Sequence, residues 1–232
     1  MDVKRIFVPT SGPLDWKRLL AKPERHWKAG HSAMALAQCW EEAHPGLPAE
    51  VAAALTMCLG ELDLLLALPE YKVELEGGDR PSQTDLMVFA RSRNGLVCIA
   101  VEGKVDEPFG PALGEKRREC SDGVEKRLEQ LHRVLGLSSP LPDDVYYQLV
   151  HRTASALITA EKFGAVAAVM LVHSFSKKDS WFPEFDRFAK LLGAAPERGR
   201  AARAQTATSL PLFLGWCHGE ERFLEEQAHG QD

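Results

Sequence analysis

The chain has 232 residues, 45% of them apolar, with 28 Lys and Arg against 33 Asp and Glu for a net charge of −5. That mix excludes a disordered or collagen-like chain, and a chain this long should bury roughly 70% of its unfolded surface, so its core needs no covalent staples. The mild acid excess also excludes broad affinity for polyanions, so any nucleic-acid role must rest on a local basic surface.

Five cysteines, an odd number with no CxxC pair, argue against a disulfide framework or a zinc knuckle and point to a reduced, cytoplasmic setting. The N-terminal stretch turns polar before an apolar segment of useful length, and no run approaches 18 uncharged apolar residues, so neither secretion nor a membrane span is expected.

In chain order, residues 1–47 read as a helical extension, with Asp15 capping a short helix from Trp16 to Leu20 and Ser32 capping one from Ala33 to Ala43. Apolar residues at Val51, Leu55, Cys58, Leu62, Leu65 and Leu66 then predict a helix from Pro48 to Leu68, stopped by Pro69. Tyr71 to Glu76 alternates as a half-exposed strand does. Two β-type runs follow, Thr84 to Ser92 and Leu96 to Lys104, joined at Asn94 and Gly95, the pair that favours a two-residue hairpin turn.

Val124, Leu128, Leu131 and Leu135 predict an amphipathic helix with Asp122 and Glu125 as a capping box. A second helix is expected from Asp143 to Phe163, closed by Gly164, and then a strand buried on both faces from Ala165 to Val172. A helix from Phe182 to Leu192 and a strand from Leu210 to Trp216, demoted to a sheet edge by Pro211, complete the chain. The expectation is one α/β domain with a mixed sheet and helices on both faces: extension 1–47, core 48–173, and a C-terminal helix and edge strand in 174–232.

The hairpin makes a statement about register. With Asn94 and Gly95 as the loop, Asp85 lies opposite Lys104 and Met87 opposite Glu102, so Asp85, Glu102 and Lys104 project to one side while Leu86, Val88, Ala90, Val97, Ile99 and Val101 face the other. Asp85 and Glu102 are then diagonal neighbours with Cα atoms about 7–8 Å apart, a span that one hydrated divalent ion can bridge. The bland alternative is an ion pair at a strand end. A fourth acid, Glu61, projects into the apolar arc of the Pro48–Leu68 helix, where a carboxylate needs a partner.

These residues carry a resemblance. Glu61 on a first helix, Asp85 early in one strand, Glu102-Gly103-Lys104 ending the next and Pro81 in the preceding loop resemble the PD-(D/E)XK nuclease superfamily. The order helix, three strands, helix, strand over residues 48–173 matches that superfamily's core. The resemblance implies a restriction-endonuclease-like fold and a metal-dependent phosphodiesterase site. Asp85 and Glu102 would be Mg²⁺ or Mn²⁺ ligands, Glu61 an additional ligand, and Lys104 the group that orients the attacking water or stabilises developing charge. Gln148 is the candidate for the glutamine that some branches supply from the following helix. Pro81 departs from the pattern, with three residues separating it from Asp85 where the motif name implies none or one, and an extra helix stands before Gln148.

Gln148, Arg152, Ser155 and Thr159 form a polar stripe poor in Glu and Lys, with His151 at its margin; it faces either the metal site or the N-terminal helices. The expected partner is nucleic acid, DNA ahead of RNA, contacted through some of the basic runs Lys116 to Arg118, Lys126 and Arg127, Lys177 and Lys178, or Arg198, Arg200 and Arg203. Most such runs are ordinary solvated faces. No membrane partner is expected, and a homodimer stays open because relatives of this size often cut duplexes as dimers. Two rival readings stand beside the nuclease: a catalytically inactive binding module on the same fold, and a hydrolase of small phosphate esters. Gly30-His31-Ser32 is not a serine-hydrolase elbow, since no strand precedes it, and the histidines show no HExxH spacing.

Overall fold

The computed structural model describes residues 10–78, 80–208 and 210–225. Two short helices, α1 (Leu14–Lys17) and α2 (Pro23–His26), lead into α3 (Ser32–Glu42) and α4 (Ala49–Leu59). Three long strands follow: β1 (Asp63–Val73), β2 (Ser82–Ser92) and β3 (Gly95–Lys104). Helices α5 (Leu113–Arg117), α6 (Asp122–Val134) and α7 (Tyr147–Lys162) precede β4 (Ala167–Ser174). Then come α8 (Phe182–Leu191), the short β5 (Ala202–Arg203), β6 (Leu212–His218) and a closing 3-10 turn at Glu221–Leu224.

The six strands form one mixed sheet in the order β1-β2-β3-β4-β6-β5. The first three make an antiparallel meander, β3, β4 and β6 run parallel, and β5 is antiparallel to β6. The crossover from β3 to β4 is the one a parallel pair requires, made through α5 to α7. Side chains alternate across the sheet and build a core on each face. Met87, Phe89, Ala100 and Met170 pack with α7 and α8, while Leu86, Val88, Ile99 and Leu171 pack with α3 and α4. The α/β class, the mixed sheet and helices on both faces therefore agree with the sequence reading. No helix among the described residues is long and apolar enough to cross a membrane.

Several boundaries differ, each for a physical reason. The Pro48–Leu68 helix stops at Leu59, because Gly60 takes φ 75°, a left-handed conformation that ends a helix cheaply. Leu64 to Leu68, which looked like its last turns, instead begin β1, and the Tyr71–Glu76 strand is the tail of that same element. Pro69 is tolerated there because β1 is an edge strand. Conversely, the last strand is not an edge: β5 covers it, and Pro211 lies just before it. The first helix starts at Leu14 with Asp15 inside it, and Asp15 accepts a hydrogen bond from the Ser11 N–H. Ser32 is the first residue of α3, with His31 at the cap position. The cap of α6 is Ser121, whose Oγ accepts from the Val124 N–H at 3.3 Å. The helix expected from Asp143 begins at Tyr147.

The hairpin is present but its turn is Arg93-Asn94, with Ser92 paired to Gly95, one residue earlier than expected. Moving a turn by one residue moves each cross-strand pair by two, so every side chain keeps its face. Met87 pairs with Ala100 instead of Glu102, and the ladder continued one step past Leu86–Val101 sets Asp85 across from Glu102 instead of Lys104.

Candidate functional site

At the open end of the meander the ladder between β2 and β3 stops, and Asp85 replaces it: its Oδ2 accepts the Gly103 N–H at 2.9 Å. Glu102 and Lys104 emerge beside it from a strand buried along most of its length and remain almost fully enclosed, 2% and 3% exposed. Helix α7 lies over this end of the sheet and supplies the remaining partners. Lys104 Nζ donates to Glu102 Oε1 at 2.9 Å and to Gln148 Oε1 at 3.0 Å, and rests 5.0 Å from the centre of the Phe109 ring. Gln148 Nε2 donates to Glu102 Oε1 at 2.6 Å, and Arg152 Nε donates to Glu102 Oε2 at 2.6 Å. Arg152 Nη2 stands 4.0 Å from Asp85 Oδ1.

Asp85, Glu102, Lys104, Gln148 and Arg152 thus come together, and Ser155 of the polar stripe joins them, its Oγ 2.8 Å from Ser82 Oγ and 2.7 Å from the His151 carbonyl. Glu61 does not. It lies beyond the end of α4, exposed, because the helix meant to carry it inward has already stopped. Its place is taken by Glu70, which sequence reasoning missed. Glu70 sits on β1 with φ 53°, across the sheet from the Asp85 position, and its Oε2 accepts from Gln83 Nε2 at 2.6 Å. One signal could have found it: the alternation of Tyr71 and Val73, carried backward through Pro69, makes Glu70 a strand residue.

Burial and charge set the protonation of the cluster. Burial opposes ionisation of Glu102, but Lys104 and Arg152 outweigh it and hold that carboxyl below the usual range. Asp85 is pushed well above its ordinary value by burial and by the Glu102 charge, with Arg152 only partly compensating. Burial raises Glu70 to about 7. With all three carboxyls ionised the cluster would set three negative charges against two cations, and the repulsion that raises Asp85 and Glu70 is what a bound cation would relieve.

The oxygens also suit a hard divalent ion. Among the described residues no hydrogen bond ends on Asp85 Oδ1 or Glu70 Oε1, and Glu102 Oε2 accepts only from Arg152. The three carboxylates are not drawn within 4.8 Å of one another. An ion held there would therefore keep waters in its shell, as Mg²⁺ and Mn²⁺ commonly do.

The cleft above the cluster is about 600 Å³, and its far wall comes from the N-terminal segment through Arg25, His26 and His31. Glu107 ties that segment down, its Oε1 accepting from the Ser32 N–H and hydroxyl and its Oε2 from the Val105 N–H at 2.9 Å. A larger cavity of about 810 Å³ between α5, α6 and α7 is lined by a mixture of apolar and charged residues and holds none of the cluster residues. Of the basic runs, Lys177, Arg198 and Arg200 pair with Glu221, Asp179 and Glu197, as solvated faces do. Arg117 pairs with Asp143, whereas Lys116 and Arg127 border the cleft's neighbouring pocket.

A second trio, Cys39, Glu50 and His173, has ligand atoms within 4.8 Å of one another. Its hydrogen bonds argue against a metal there. Trp40 Nε1 donates to His173 Nδ1 at 3.3 Å, so the ring proton sits on Nε2 and points at Glu50 Oε1, 2.9 Å away. A metal-bound imidazole needs the reverse, a free Nε2 and an Nδ1–H with an acceptor beside it. Burial, then Glu50, also pushes the Cys39 thiol upward, away from the thiolate a metal would need. The trio is a buried tie between α3, α4 and β4.

A family model matches residues 9–221. The chain belongs to this family, Domain of unknown function (DUF6946). No curated protein and no solved structure matches this DUF6946 chain. Any role for its residues therefore rests on the site itself.

Proposed function

We propose that this DUF6946 chain is a divalent-metal-dependent phosphodiesterase on a restriction-endonuclease-like core, cutting nucleic acid, with DNA ahead of RNA. The observation that carries the reading is the meeting of Glu70, Asp85 and Glu102 from three adjacent strands with Lys104, Gln148 and Arg152 at one sheet end. The element order from α4 through the meander and α7 to β4 supports the same core.

Asp85 and Glu70 would hold the ion, with Glu102 sharing its remaining lone pair. Bound there, the ion would lower the pKa of a water and offset charge growing on the phosphate. The protein's own groups do the rest. Lys104 spends two of its three N–H donors on Glu102 and Gln148, and the third is left for the attacking water or a phosphoryl oxygen. Arg152 keeps Glu102 ionised and fixes its rotamer, and Gln148 locks Lys104 and Glu102 to each other, so that little reorganisation is left for the reaction itself. None of these contacts reads a base, so the chemistry is blind to sequence.

The test is cleavage of supercoiled plasmid and of labelled oligonucleotides with Mg²⁺ or Mn²⁺. The wild type should cut, Lys104→Ala should lose about 10²–10³-fold as loss of a charge-stabilising donor does, Glu70→Gln should be impaired, and Glu61→Gln should match wild type. No cleavage by the wild type on any nucleic acid would leave the binding-module reading in its place, and turnover only of small phosphate esters would favour the esterase reading.

A further inference from the structure

The local basic surface that a chain of net charge −5 needs to hold a polyanion lies outside the basic runs named above. Between residues 22 and 31 the cations fall three apart, at Lys22, Arg25 and Lys28, with His31 next in the series, His26 among them and Glu24 as the one acid. All of these side chains are exposed. Among the described residues no carboxylate pairs with Lys22, Arg25 or Lys28, whereas Lys177, Arg198 and Arg200 are each matched to one. Burial, then Arg25, His31 and Lys22, hold the His26 ring below its ordinary pKa, and Glu107, engaged with Ser32 and Val105, only partly opposes them.

The fold sets this charge over the carboxylate cluster. Arg25, His26 and His31 line the same 600 Å³ cleft as Asp85, Glu102 and Lys104. Their segment is tethered along its length: Trp27, 9% exposed, packs into the core shared with α3, the Gly30 N–H donates to the Leu224 carbonyl at 2.7 Å, and Glu107 holds Ser32. A wall preset in this way loses little freedom when it binds. On the other side, Tyr147 and His151 line both the cleft and a pocket of about 370 Å³ bordered by Arg80, Lys116 and Arg127. Arg127 directs its guanidinium at the carbonyls of Leu75, Glu76 and Gly78, and Lys116 pairs with Glu119. Positive charge therefore flanks an acidic centre on two sides. A polymer of phosphates can engage both flanks at once, which a small phosphate ester held at the centre does not.

We infer that residues 22–31 are a nucleic-acid clamp, in which Lys22, Arg25 and Lys28, with the His26 and His31 rings, hold the phosphate backbone of a strand as it crosses the carboxylate cluster. The clamp deepens the nuclease reading and rests on it for what happens to the strand once held; the binding surface stands apart from it. The contacts go to phosphates alone, so they set affinity and position and read no sequence.

Fluorescence anisotropy of labelled duplex DNA with the full chain, in EDTA so that no metal is present and nothing is cut, tests the clamp without using activity. Wild type should bind duplexes of unrelated sequence about equally, with log Kd linear in log salt. The triple variant Lys22→Gln, Arg25→Gln, Lys28→Gln should bind roughly 10-fold or more weakly at about 0.1 M salt and lose about 2–3 from the salt slope, near 0.9 for each phosphate contact removed. Arg25→Gln alone should lose about 1 from the slope. Lys177→Gln with Lys178→Gln takes two charges from a face that lines no part of the cleft and should change neither quantity. All the substituted side chains are exposed, so each variant should melt with the wild type. In cleavage with Mg²⁺, the triple variant should raise KM with kcat within a few-fold. No binding by the wild type at low salt, or a triple variant with the wild-type slope, would overturn the clamp, and cleavage with unchanged KM would do so while leaving the nuclease reading in place. Salt-dependent binding that the triple variant loses, with no cleavage by any of the proteins, would sustain the clamp and sink the nuclease reading instead.

Discussion

Asp85→Asn is expected to abolish cleavage and at the same time to make the metal-free protein more stable. An ion ligand contributes several kcal/mol to the transition state, so its loss should cost about 10³-fold or more in rate. Stability moves the other way because the carboxylate is poorly tolerated where it stands. Burial, then the Glu102 charge, push its pKa well above the usual range, and Glu70 adds to the repulsion. A carboxyl whose folded pKa is raised binds its proton more tightly in the folded state than in the unfolded one. Its contribution is therefore present in full at acid pH and is lost as pH rises from the unfolded value, about 3.9, through the folded one.

The wild type without metal should accordingly lose stability as pH rises over this range, and Asp85→Asn, whose amide oxygen can still accept the Gly103 N–H, should lose less. The expected difference is a Tm a few degrees higher for the variant at pH 8 than for the wild type, at roughly 2–4 °C per kcal/mol for a chain of this size. Magnesium should raise the wild type and leave the variant unmoved, closing the gap. Thermal unfolding of both proteins at about pH 6 and about pH 8, with and without Mg²⁺, reads all of this. A variant less stable than wild type at the higher pH without metal would contradict it. Such opposed signs are the usual mark of a site built for function at some cost to the fold.

Arg152→Ala should have the largest effect on stability. It strips Glu102, 2% exposed, of a charge-assisted hydrogen bond of 2.6 Å, and it removes the donor that holds Ser82. Breaking one half of a buried ion pair costs about 3–5 kcal/mol, or on the order of 10 °C here. The pair as a whole need not stabilise at all, since desolvating two charges offsets most of their attraction. The double variant Arg152→Met with Glu102→Gln should therefore recover much of the stability lost in Arg152→Ala while remaining inactive. Urea unfolding of the single and double variants measures the coupling. Equal losses in Arg152→Ala and in the double variant would show that the intact ion pair itself stabilises the fold.

The parts of this site written in local pattern were legible before any coordinates. The Asn94-Gly95 signal gave the hairpin, and the period of two put Asp85, Glu102 and Lys104 on one face even though the turn fell one residue early, because a slip of two in pairing preserves parity. The spacing of Gln148, Arg152 and Ser155 gave the helix face that meets them. Glu61 takes no part and Glu70 does because leucines from Leu62 to Leu68 satisfy a helical period as well as a buried strand does, and so carry the apparent helix past Gly60. The tie of Cys39, Glu50 and His173, and the wall formed by Arg25, His26 and His31, join segments distant in sequence, and no local period records such meetings.

The central claim is that Glu70, Asp85 and Glu102 meet at one sheet end to hold a divalent cation. Calorimetric titration of the metal-free protein with Mn²⁺ tests it most directly. One ion should bind the wild type, more tightly as pH rises and the raised carboxyls lose their protons, and binding should be lost in Asp85→Asn while Cys39→Ala leaves it intact. No heat at millimolar Mn²⁺, or binding that survives Asp85→Asn but not Cys39→Ala, would contradict the claim.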